Sequence, residues 1–148
     1  MDAAVSEDVT RAPALVDAFF AAVERRDADT LCALCAEDVE LHAPTADLAQ
    51  GGRPYRGRDG LRAYVRDTGR LWVELRPRPE RVEVRRGAGP AGADVVVVFG
   101  RVYAWGAGRV VDQDAGWTLV VRDGLVEQVT AGDSSAAALA LARALAAA

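Results

Sequence analysis

The chain has 148 residues, 51% of them apolar and 27% charged, and carries a net charge of -4 at neutral pH. That length suits one domain with a full core. The charge lacks the basic footprint of a nucleic-acid binder, and the arginines stand among acids, as in "RVEVRR" and "GRDGLRAYVRDTGR", so they read as solvated faces.

The first segment, "MDAAVSEDVTRAPA", has acids where a secretory leader needs bases and an apolar run. No stretch is long and apolar enough to span a bilayer. A cytoplasmic location without membrane contact is therefore expected. "APALVDAFFAAVERRD" then places Leu15, Val16, Phe19, Phe20 and Val23 at helical spacing, with Pro13 suited to a first turn. "DADTLCALCAED" reads as a second short helix capped by Asp27 or Asp29. Its Cys32 and Cys35 lack the strand and partner residues of a redox motif, and His42 is the chain's one histidine. Two small apolar core residues, no disulfide and no metal site are expected.

"VELHAP" is a short extended piece, and "TADLAQGGRPYRG" has the composition of a loop. "RDGLRAYVRDTGR" is a third helix with Leu61, Tyr64 and Val65 on one side. From there the period changes to two. "LWVELRP" and "ERVEVRR" alternate, and "VVVVFGRVYAW" (Val95 to Trp105), "RVVDQDAGWTLVV" and "LVEQVTA" follow as strands joined by tight turns. "DSSAAALALARALAAA" closes the chain as an Ala-rich helix. One domain over 1–148 is expected, with its core at about 14–133 and the C-terminal helix at 134–146. Helices gathered before antiparallel strands imply an α+β fold.

Three stretches, "FFAAVERRDADTLCALCAEDVELHAP", "YRGRDGLRAYV" and "WTLVVRDGLVEQVTAGD", make the chain resemble the SnoaL-like polyketide cyclases and the surrounding ketosteroid-isomerase-like, or nuclear-transport-factor-2-like, superfamily. The resemblance implies a cone: a curved, mostly antiparallel sheet wrapped around the N-terminal helices, enclosing an apolar cavity. It also implies a homodimer through the sheet. In the strand Val95–Trp105 it puts Val97, Phe99, Arg101, Tyr103 and Trp105 on the cavity wall. The other face, Val96, Val98, Val102 and Ala104 continued by Thr118 and Val120, is left for the dimer. Arg101 would then be a donor in an apolar pocket. The alternative is a bulge that turns it to solvent or into a salt bridge.

The resemblance marks the scaffold better than the reaction. The positions where ketosteroid isomerases carry their Asp base, Tyr and protonated Asp fall at or near Ala43, Phe19 and Trp117, none of which can take those roles. An epoxide hydrolase set would find its arginine in Arg101 but not its acids. The residues themselves offer His42, on a face opposite Leu41 and Ala43, and Asp133, which ends the last strand and also suits a helix cap. Asp112 and Asp114 alternate away from Gln113, Ala115 and Trp117. The catalytic candidates are thus Asp133, His42 and Arg101. Phe19, Tyr55, Tyr64, Val97, Phe99, Tyr103, Gln113, Trp117 and Val129 are candidates to contact substrate. The expected function is a cofactor-free cyclisation or isomerisation of an apolar, oxygenated, polyketide-type molecule. A non-catalytic binding protein and an epoxide-opening enzyme are the alternatives.

Overall fold

A computed structural model describes residues 3–132 and 134–147, and their side chains apart from those of residues 3–12 and 135. Helix α1 spans Ala3–Arg25 and α2 spans Ala28–Ala33. Strand β1 (Cys35–His42), the short helix α3 (Pro44–Ala49), β2 (Tyr55–Arg56) and α4 (Gly57–Leu71) follow. The second half is β3 (Glu74–Arg85), β4 (Asp94–Gly106), β5 (Arg109–Arg122), β6 (Leu125–Gly132) and helix α5 (Ser135–Ala147).

The α+β order expected from the sequence is the order of the molecule. Several boundaries move. Pro13 lies inside α1 instead of in its first turn. The second helix stops before Cys35, which begins β1. Asp27 caps that helix, accepting from the Thr30 amide at 3.1 Å and the Thr30 hydroxyl at 2.6 Å. The segment read as a loop after Pro44 contains α3 and β2. Pro at the first turn of α3 explains that helix start, because its missing N–H would be unpaired there in any case.

Six strands form one curved sheet in the order β2-β1-β6-β5-β4-β3. Only the β1–β6 pair is parallel. The two pieces expected before Gly87 are one strand, β3, with a register shift between Pro79 and Arg81. Its prolines are tolerated because β3 is at the sheet edge, where a ladder N–H can be lost. Opposite that bulge sits Gly100. A Cβ there would lie 2.1 Å from the Arg78 carbonyl oxygen, so the close approach of the two strands needs glycine.

Both faces of the sheet are covered over part of their area. On the concave side, Phe19, Phe20 and Val23 of α1 and Leu61 and Tyr64 of α4 pack with Val96, Val98, Trp117 and Leu119. On the convex side, Ala138 and Ala142 of α5 cover Val95, Val97 and Phe99. The Thr118 hydroxyl donates to the Ala138 carbonyl at 3.0 Å and fastens the helix there. The sheet surface expected to form a dimer is therefore not free. Val96, Val98 and Ala104 are buried on the concave side with half-buried Val102 beside them, while Thr118 is pinned beneath α5 and Val120 is buried beside Val95.

Cys32 and Cys35 are free and buried. Burial pushes the Cys35 thiol up to about 12, which makes it an inert core group. No helix among the described residues is long and apolar enough to cross a membrane.

Candidate functional site

The concave side of the sheet leaves a cavity of about 110 Å³ between α1, α4 and the strands. Phe19, Phe20 and Val23 form its floor, and Leu41, Val102, Ala115, Trp117 and Val129 form the strand wall. The space exists because small side chains, Val102 and Ala115, occupy wall positions where β3 and β4 curve away. Phe20 and Trp117 meet edge to face with centroids 4.8 Å apart, and Phe19 meets Phe20 in the same way at 5.6 Å. Such pairs fix ring orientation as well as burying area.

Among the described residues, the polar groups on the wall are neutral: the hydroxyls of Thr45 and Tyr64, the Gln113 amide and the Trp117 indole N–H. Tyr64 is the only ionisable side chain among them. Burial pushes its phenol up to about 12, so it stays protonated and able to donate. Behind it, Tyr55 packs edge to face at 5.4 Å and donates to the Asp67 carboxylate at 2.8 Å. Tyr55 is fully buried and does not reach the cavity. It holds the Tyr64 ring from the second layer, and burial, helped by Asp67, keeps its own phenol protonated.

His42 lies outside this space. It lines a shallow recess of about 170 Å³ with Asp47 and Gly52, and that recess shares Ala43, Pro44 and Ala131 with the cavity wall. Its Nε2 is 2.7 Å from Glu40 Oε1, one pleat period back on the same face of β1. The alternation of Leu41 inward and His42 outward holds, with Leu41 buried. Asp133 lies outside the described residues. Gly132, directly before it, lines the cavity. The capping of α5 falls to Ser134, whose hydroxyl accepts from the Ala137 amide at 3.1 Å.

This is an enclosed apolar pocket inside a cone of sheet, and the chain's sequence matches the SnoaL-like domain model over residues 16–129. The chain belongs to the SnoaL-like family. Its fold is also that of a protein named TerC, solved with polyporic acid, at 19% identity and a TM-score of 0.68, covering 89% of this chain and 98% of that one. The orange carotenoid protein of Anabaena (Nostoc), solved with canthaxanthin, matches at 23% identity and a TM-score of 0.64 over 82% of this chain. This chain spans only 35% of that protein's length. A Sinorhizobium meliloti protein provisionally called a polyketide cyclase matches at 16% identity and a TM-score of 0.62, covering 81% and 94% of the two chains. At these identities the likeness is one of fold. No curated protein sequence matches the chain.

Within this SnoaL-like cone the wall of β4 is the reverse of the one expected. Arg101 and Tyr103 point outward with Trp105, and Val97 and Phe99 point outward beneath α5. None of the four candidates, Arg101, Tyr103, Val97 and Phe99, lines the cavity. The Arg101 guanidinium instead bonds Asp112 Oδ1 at 3.0 Å, half exposed, on the outer face. The expected apolar-pocket donor is thus an exposed ion pair of small energetic weight. The epoxide-opening alternative, which used Arg101, loses its arginine. The cause of the inversion is that residues 95–99 are apolar on both faces, since both faces are buried, and alternation there carries no sign. The informative signal lay one strand away: Asp112 and Asp114 on β5 stand in register with Tyr103 and Arg101. The structure does bring together Phe19, Tyr64, Gln113, Trp117 and Val129 around one space. Phe20, Thr45 and Ala115 join them there and were missed as site residues. Phe20, beside Phe19 in the helical stripe, was the readable one of the three.

Proposed function

We propose that this SnoaL-like protein takes a small, mostly apolar, oxygen-bearing molecule into the cavity and moves a proton on it, in a cofactor-free cyclisation or isomerisation of the polyketide type. The observation that carries the reading is the combination of an enclosed aromatic wall with neutral donors, Tyr64, Gln113, Thr45 and the Trp117 indole. Such a wall orients a carbonyl or hydroxyl and excludes water. The volume fits a single ring: a dry cavity of about 150 Å³ accommodates benzene. A larger polyketide-type substrate would extend past the mouth, where Gln113 is exposed.

Asp133 is the proposed acid–base group. It follows a lining residue, and Ser134 supplies the cap that would otherwise account for it. His42, paired with Glu40 in the adjoining recess, is the second candidate. One observation favours a binding protein instead: no described wall residue titrates near neutral pH. Quinone and carotenoid ligands in the TerC and Anabaena structures suit the same reading. The proposed homodimer moves to the outer face beyond α5, where Tyr103, Trp105 and Val110 are exposed.

Proton exchange separates catalysis from binding. Acetophenone in deuterated buffer loses a methyl proton to the base and takes up a deuteron. Wild-type protein is expected to accelerate this exchange over buffer. Asp133→Asn, which still caps well, is expected to lower the acceleration by about 10²–10⁴. Saturable binding with exchange at the buffer rate would establish the carrier and refute the enzyme.

A further inference from the structure

One polar atom in the core stands out. Thr68 Oγ1 is the only buried side-chain nitrogen or oxygen without a hydrogen-bond partner among the described residues, in a residue 1% exposed. An orphaned buried hydroxyl is costly and invites an explanation. Thr68 is four residues after Tyr64 on α4, so the two side chains stack on one face of the helix. Its hydroxyl stands close enough to the Tyr64 oxygen to bias that phenol as a donor would. The Tyr64 hydroxyl, in turn, has no acceptor among the described residues, while its ring lines the cavity.

We infer that Thr68 and Tyr64 form a two-hydroxyl relay that selects ligands carrying a carbonyl acceptor. The Thr68 O–H donates to the Tyr64 oxygen, and the Tyr64 O–H donates to the ligand carbonyl. This rests on the reading of the cavity as the ligand site, and it adds the substrate class: a neutral ketone or quinone whose oxygen faces α4. Three features fit that class. The relay offers a proton donor and no charge. Polarising the Tyr64 hydroxyl from behind strengthens its forward bond. Tyr55, anchored on Asp67, holds the Tyr64 ring from the other side. Tyr64 is the binding residue, and Thr68 is a positioning residue acting through it.

The test compares two ligands of matched shape, acetophenone and ethylbenzene, by calorimetry on the full chain. Wild-type protein is expected to favour the ketone by roughly 2- to 10-fold, the range of one neutral hydrogen bond. Tyr64→Phe should bring the ratio to one. Thr68→Val should lower it, and Thr68→Ser should restore it. A merely structural role for Thr68 would weaken both ligands together and leave the ratio intact. Equal binding of the two ligands by wild type, or a ratio unchanged in Tyr64→Phe or Thr68→Val, overturns the relay and leaves the cavity reading standing. Failure of both ligands to bind wild type overturns both.

Discussion

Gly100→Ala is expected to destabilise the protein by about 3 kcal/mol or more, the upper range for forcing extra volume into a packed site. The added Cβ would lie 2.1 Å from the Arg78 carbonyl oxygen and 3.0 Å from Pro79 Cα. Those are backbone atoms of the neighbouring strand, so no rotamer change relieves the clash, and the strands must part at the bulge that bends the sheet. In a chain of this length, that loss corresponds to a fall in Tm of roughly 6–12 °C. Gly69→Ala is the contrasting change. It lies in α4, where a Cβ meets only the Arg26 side chain at 3.8 Å, and helix propensity favours alanine by up to about 1 kcal/mol. Urea unfolding of the two variants reads both effects. A Gly100→Ala protein as stable as wild type would mean that β3 and β4 do not approach as described.

Ala115→Leu is expected to remove ligand binding while leaving the fold nearly as stable as before. Ala115 is buried and lines the cavity, so three added carbons would enter open space in place of packed neighbours. Filling a void restores contacts that its lining lacks, and a stability change within about 1 kcal/mol follows. The ligand ring loses its seat. Burial of an aromatic group contributes about 1.5–3 kcal/mol, so acetophenone affinity should fall by roughly 10- to 100-fold. Calorimetry and urea unfolding on one preparation separate the two effects. Undiminished affinity in a folded Ala115→Leu protein would place the ligand elsewhere.

The parts of this molecule that were legible in its sequence are those where one face is wet. Helix α4 shows Leu61 and Tyr64 against a polar remainder. Strand β5 shows Asp112 and Asp114 against Gln113, Ala115 and Trp117, and the structure keeps those faces. Where both faces are buried, periodicity fails. Val95 to Phe99 lie between α5 and the cavity core, and nothing in the run itself says which side is which. The face of β4 was therefore inferred from Arg101 and the aromatics after it, groups that the structure sends outward to meet Asp112 and solvent. Cross-strand charge pairing would have given the right sign, since an arginine opposite aspartates marks a shared exposed face. The helix α3 was hidden because a six-residue helix rests on Pro44 and burial of Thr45 and Ala46 more than on any repeat. Thr68 gave no signal, because an unpartnered hydroxyl is a property of packing alone.

The three tryptophans offer a direct reading of where a ligand goes. Trp117 lines the cavity beside Phe20, Trp105 is 41% exposed on the outer face, and Trp72 ends α4 outside the cavity lining. Their indole N–H groups give three separate signals in a nitrogen–proton correlation spectrum. Titration with acetophenone is expected to move the Trp117 signal, assigned by its loss in Trp117→Phe, and to leave those of Trp72 and Trp105 in place. Movement of the Trp105 signal with Trp117 unchanged, or no movement at saturating ketone, would contradict an internal ligand cavity.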